Sequence, residues 1–198
     1  MKKRYRLSTD VNLLGPYHKP EHGAFYSEKE KIKFLKVRDV KCPERGHKHD
    51  AGIDFFVPEF TEDFLKDLIE KNPYLIINKE KIVLEPGERV LIPSGIHCQM
   101  SSPGRALIAA NKSGVATKMG LIFGAQVVDY EYQGEIHLGV INTTPGIVEI
   151  TPGMKILQFL EIPVYTSEIY VNEDMTVESF YKDKTTRGAG GFGSTDKK

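Results

Sequence analysis

The chain has 198 residues, 40 % of them hydrophobic and 27 % charged, ordinary values for one globular domain with short appendages. Lys+Arg and Asp+Glu tie at 27 each, so the formal net charge is zero, which excludes binding to duplex nucleic acid or an anionic membrane by bulk electrostatic attraction. No apolar run approaches the roughly 18 residues of a membrane span, and two cysteines make no disulfide framework, so a cytoplasmic protein is the default expectation.

Residues 1–31 are polar and broken by Gly15-Pro16, Pro20 and Gly23, and read as an irregular N-terminal extension. From Ile32 the texture becomes strand-like. Short segments rich in Val, Ile and Phe follow at Ile53–Val57, Ile82–Leu84, Arg89–Pro93, Ala106–Ala110, Gln126–Tyr130, Glu135–Ile141, Ile147–Ile150 and Ile156–Ile162. The dipeptides Pro86-Gly87, Pro103-Gly104, Pro145-Gly146 and Pro152-Gly153 punctuate them, which predicts an all-β sandwich, barrel or jelly roll over 32–183. One segment, Thr61–Asn72, has helical spacing instead. Phe64, Leu65, Leu68 and Ile69 share a face, Thr61 is the expected N-cap, and Asn72-Pro73 stops the run. It predicts one helix inserted at about 59–81, a structural flap against the sheet. Residues 184–198 form a glycine-rich arm with one Arg and one Phe, a stretch unable to offset its own ordering entropy.

Several constellations could carry chemistry. Gly188, Gly190 and Gly193 satisfy G-x-G-x-x-G but lack the strand before and the helix after that a dinucleotide site requires. Cys42, His47 and His49 match no usual zinc ligand spacing and read as loop residues. Lys112-Ser113-Gly114 offers a cation, a hydroxyl and a flexible amide in a row, a combination suited to phosphate oxygens. Asp129-Tyr130-Glu131-Tyr132-Gln133 would, on strand alternation, place its acids on one side and its tyrosines on the other unless a turn intervenes. Such an acidic hairpin can position a general base or a hydrated metal.

Taken in order, AGIDFF at 51–56, NKSGVA at 111–116, VVDYEYQGEI at 127–136, PGMKILQ at 152–158 and RGAGGFGST at 187–195 resemble the five motifs of the trimeric dUTPases. The resemblance implies a jelly-roll β-barrel with one inserted helix, assembled as a homotrimer whose sites are shared between chains. It implies hydrolysis of dUTP to dUMP and diphosphate with Mg2+. Asp129 would align the attacking water, and Asp54 would contact magnesium through its water shell. Lys112, Ser113 and Gly114 would hold the phosphates, with Gln158 supporting the reacting centre. Gln126 would lie in the base-reading hairpin, in a place commonly held by glycine, and the Tyr132 ring would leave no room for a 2′-hydroxyl. Arg187 would bind the γ-phosphate, Phe192 would stack on uracil, and Gly193 with Ser194 would close the site. Asn111-Lys112 stands where the family usually has Pro-Arg, so the charge is kept without the planar fork. The same fold also serves dCTP deaminases and bifunctional deaminase–hydrolases, and a third possibility is a regulatory protein that engages a partner.

Overall fold

Alternating apolar residues and proline–glycine turns produce twelve short strands in the computed structural model, which describes residues 31–181 and 183–190. The expected extension, apart from Lys31, lies outside the described residues. The described chain divides into two compact units, one ending at Tyr165 and one starting at Thr166.

The first unit is the jelly-roll-like β-barrel. Its central sheet has four strands in the order β2 (Gly52–Phe55), β12 (Leu157–Pro163), β7 (Arg105–Asn111) and β9 (Val127–Val128), all antiparallel. A second sheet orders β5 (Arg89–Pro93), β10 (His137–Asn142) and β8 (Leu121–Phe123). A third orders β11 (Val148–Ile150), β4 (Ile82–Leu84) and β3 (Ile76–Ile77), and β1 (Lys33–Lys36) pairs with β6 (Ile96–Gln99). Phe55, Leu107, Leu138 and Phe159 fill the space between them, with the rings of Phe55 and Phe159 4.6 Å apart. Burying such a side chain contributes about 1.5–3 kcal/mol.

Strands β3, β6 and β8 carry weak local signals. The sequence Ile96-His97-Cys98-Gln99 is strand only because β1 lies beside it, with Leu35 opposite His97. The apolar run before Val128 is broken at Gly124 into β8 and β9, and the strand expected to reach Tyr130 ends at Val128.

The inserted helix forms as its residues specify. Helix α1 (Glu62–Lys71) is capped by the Thr61 hydroxyl, which accepts from the Phe64 N–H at 3.3 Å, and acids occupy its first turn. Its apolar face is narrower than the spacing predicts: Phe64 and Leu68 are buried, and Ile69 is exposed. Asn72 does more than stop it. The side chain donates to Leu68 O and Leu91 O and accepts from the Leu91 N–H, all within 2.9 Å, which ties the helix end to β5. The second unit contains one helical turn, α2 (Val177–Phe180), capped by Thr176.

Candidate active site

Strand β12 lies between β2 and β7, so Gln158 faces Asp54 on one side and Ala110 on the other. Asp54 is only 5 % exposed. A carboxylate so placed stays charged at tolerable cost only beside cations. Two lysines supply them: Lys112 donates to Oδ1, and Lys155 stands 3.2 Å from Oδ2. Lys155 also lies 5.9 Å from the Phe56 ring. Gln158 donates to Asn111 O at 2.8 Å, and its amide fits only because residue 52 is glycine; a Cβ there would fall 1.9 Å from Oε1. Gly52, Asp54, Lys112 and Gln158 line an open cleft of about 420 Å³, joined by Gly46, His47 and Asp50 from the loop before β2. Ser113 and Gly114 follow Lys112 directly and are exposed, at the start of a π-helical turn, Val115–Met119.

Asp129 belongs to a different place. A turn follows β9, closed by the Tyr132 N–H donating to Asp129 O at 3.1 Å, so the simple alternation of acids and tyrosines does not hold. Asp129, Tyr132 and Gln126 instead line one small pocket of about 180 Å³, whose floor is Ile136 and Phe159. The Tyr132 hydroxyl donates to Glu135 O at 2.9 Å. His137 is half-buried beside it; burial holds its imidazole below the ordinary pKa, against the opposing effect of Glu135.

The two clefts share no lining residue. Asp54 is level with Ala110 in the sheet, whereas Val128 is level with Leu107, so Asp129 falls four residues along and three strands across. At about 4.8 Å per strand and about 3.3 Å per residue, the backbone positions of the two acids lie roughly 20 Å apart along the sheet.

Within the barrel, the sequence-predicted residues thus gather into two groups, Asp54–Lys112–Gln158 and Gln126–Asp129–Tyr132. Arg187 lies in the second unit, its Nε donating to Gly190 O at 2.9 Å. Phe192, Gly193 and Ser194 lie outside the described residues. Sequence reasoning named no role for Lys155, although the PGMKILQ motif contains it. The place of His47 and Asp50 has no local signal; the loop reaches the cleft through backbone pairing of Glu44 with Asp54. Among the described residues no group of three or more His, Cys, Asp or Glu could hold a metal ion, which includes the Cys42–His47–His49 loop.

The first unit is thus a barrel with one cleft at Asp54, Lys112 and Gln158 and a separate pocket at Asp129 and Tyr132. Residues 74–196 match the family model of dUTPase, and the chain belongs to the dUTPase family. Among curated relatives, the deoxyuridine 5'-triphosphate nucleotidohydrolase of Ectopseudomonas mendocina is 39 % identical over 117 residues, 58 % of this chain and 73 % of its own length. That of Hydrogenovibrio crunogenus is 29 % identical over 160 residues, 80 % of this chain and 88 % of its own. The fold matches a dUTPase mutant of Staphylococcus bacteriophage 80alpha solved with dUpNHpp, at TM-score 0.63 and 22 % identity, covering 83 % of this chain and 98 % of that one. It also matches a mutant dUTPase from phage phi11 of S. aureus at TM-score 0.57 and 21 % identity, over 73 % of this chain and 98 % of that one. The deaminase alternative is not favoured by these relatives.

Proposed function

We propose that the protein hydrolyses dUTP to dUMP and diphosphate, keeping uracil out of DNA. The observation that carries this reading is the presence of Asp129 and Tyr132 in one small pocket, an acid beside a ring, on a chain of the dUTPase family. Asp129 orients a water and accepts its proton as the α-phosphorus is attacked. The Tyr132 ring bounds the sugar and excludes a 2′-hydroxyl. Gln126 lies on the hairpin that receives the base, its carbonyl accepting from the Ala109 N–H at 2.7 Å. Lys112, Ser113 and Gly114 hold the phosphate chain, with Gln158 fixing the strand behind them. From the arm, Arg187 binds the terminal phosphate, Phe192 stacks on the base, and Gly193 and Ser194 close over it.

Magnesium is bound in many sites by one or two carboxylates together with the substrate's phosphates. The cleft offers one deeply buried carboxylate, Asp54, whose two oxygens are already taken by ammonium groups, so it would meet a metal carried in on the triphosphate only through that metal's water shell. Bound there, the ion would neutralise phosphate charge. The roughly 20 Å between Asp54 and Asp129 supports a site completed between chains, as in a homotrimer whose third motif comes from a neighbouring copy.

Diphosphate release measured in parallel on dUTP, dCTP, dTTP and UTP tests the reading. The expected result is fast release from dUTP alone, without ammonia from dCTP. Equal use of all four, or ammonia release, would overturn it. Equilibrium sedimentation at the mass of three chains checks the assembly.

A further inference from the structure

The residues that carry the proposed chemistry of the hairpin are exposed, Tyr132 by 44 %, so core packing does not fix them. A group outside both clefts does. The Tyr132 hydroxyl rests on the carbonyl of Glu135, and the ring passes so close over Gly134 that a Cβ there would fall 2.3 Å from Oη. The same carbonyl also meets His137 Nδ1 at 2.8 Å, and the residue that carries it is tethered through the Glu135 carboxylate, whose side chain is 15 % exposed. Its Oε1 accepts from Arg38 Nε at 2.8 Å and from the Gly95 N–H at 2.6 Å, and its Oε2 accepts from Arg38 Nη2 at 3.0 Å. Arg38 is anchored in turn: Nη2 also donates to Asp67 of α1 at 2.6 Å, and the guanidinium stands 5.7 Å from the Phe64 ring centre. Two distant pieces of chain, those of Arg38 and Gly95, therefore converge on one carboxylate, and Asp67 holds Arg38 from the helix. Burial opposes its charge, but the bonds from Arg38 and Gly95 outweigh burial and hold its pKa below the ordinary range. A two-bonded Arg–carboxylate pair with little exposure is geometrically stiff, unlike a surface ion pair.

We infer that Glu135 is a positioning residue for sugar selection: paired with Arg38, it fixes the carbonyl that holds the Tyr132 hydroxyl and so sets how tightly the ring bounds the sugar. It touches no reacting atom and acts through Tyr132. The inference deepens the proposed function and rests on the sugar-bounding role of Tyr132.

The test measures kcat and KM for dUTP and UTP, with thermal melting, on the full chain as wild type, E135A, E135Q, R38M and E135A/R38M. E135A is expected to raise the UTP-to-dUTP ratio of kcat/KM on the order of 10-fold, because small misplacement of a positioning group is costly. E135Q, which keeps an acceptor for Gly95 and Arg38 Nε, should restore most of the discrimination. R38M should match E135A, and the double variant should add little. A lowered Tm with an unchanged ratio in E135A and R38M would overturn the inference, since the pair would then be structural only. Should E135A fail to fold, R38M decides alone: it leaves Glu135 on Gly95, and a raised ratio supports the role while a wild-type ratio overturns it. Failure of the wild type to hydrolyse dUTP overturns the function itself; hydrolysis with ratios unmoved in the variants overturns only the role of Glu135.

Discussion

Asp54 sits inside β2, with strand partners on one side, a paired loop on the other and two lysines on its oxygens, whereas Asp129 sits one residue past the end of β9 in an exposed turn. The first carboxylate has its electrostatic environment built by the sheet, with counter-ions fixed at short range. The second is surrounded by water in the isolated chain, where a charge acts at high dielectric and its effect is weak. The difference teaches that the surroundings of one acid are built by the fold alone, whereas the chemistry proposed for the other requires that water be excluded from it when substrate binds.

Replacing the two acids should therefore fail in opposite ways. Asp129→Asn is expected to lower dUTP turnover on the order of 10²-fold or more while leaving stability within about 0.5 kcal/mol, as read by diphosphate release and urea unfolding. Turnover near wild type would remove Asp129 from the chemistry. Asp54→Ala, by contrast, leaves Lys112 and Lys155 facing each other without a counter-ion. It should cost roughly 1–3 kcal/mol in urea unfolding, less than a fully buried pair would because both lysines keep some solvent contact. An unchanged midpoint would show that the sheet, not the charge pair, holds this cleft.

Tyr132→Ala sharpens the contrast from the exposed side. It should raise UTP use relative to dUTP by about 10-fold or more, since excluding one hydroxyl is worth up to on the order of 10² in specificity. A constant ratio would mean that the ring is not the sugar boundary. The smallest expected effect is one of pH. Burial holds His137 below its ordinary pKa of 6.5, and Glu135 also lies below its ordinary 4.5. In both cases the unfolded chain binds the proton more readily, so stability is lost as pH falls, first below about 6.5 and then below about 4.5. Thermal melting at pH 7.0 and 5.5 should show a fall that His137→Gln reduces; an equal fall in both proteins would place the titration elsewhere.

The helix Glu62–Lys71 was legible because its signals are local: a hydroxyl cap at Thr61, acids in the first turn, and Asn72-Pro73 at the end. Strands β4 and β5 carry their own apolar texture and proline–glycine boundary, and match the expected limits residue for residue. The five motifs name Asp54, Lys112 and Gln158, which line one cleft, and Asp129 and Tyr132, which line one pocket. Local sequence encodes these features because each depends on neighbours within one turn or one strand. Only the tertiary structure decided the rest. Strand β6 exists because β1 pairs with it, and the turn after Val128 separates Asp129 from the strand that was expected to carry it. Arg38 and Glu135 meet across 97 residues, and Lys155 meets Asp54 through the closing of β12 on β2. No spacing or period records such a pair, because its energy comes from burial and geometry that exist only after the sheets have closed.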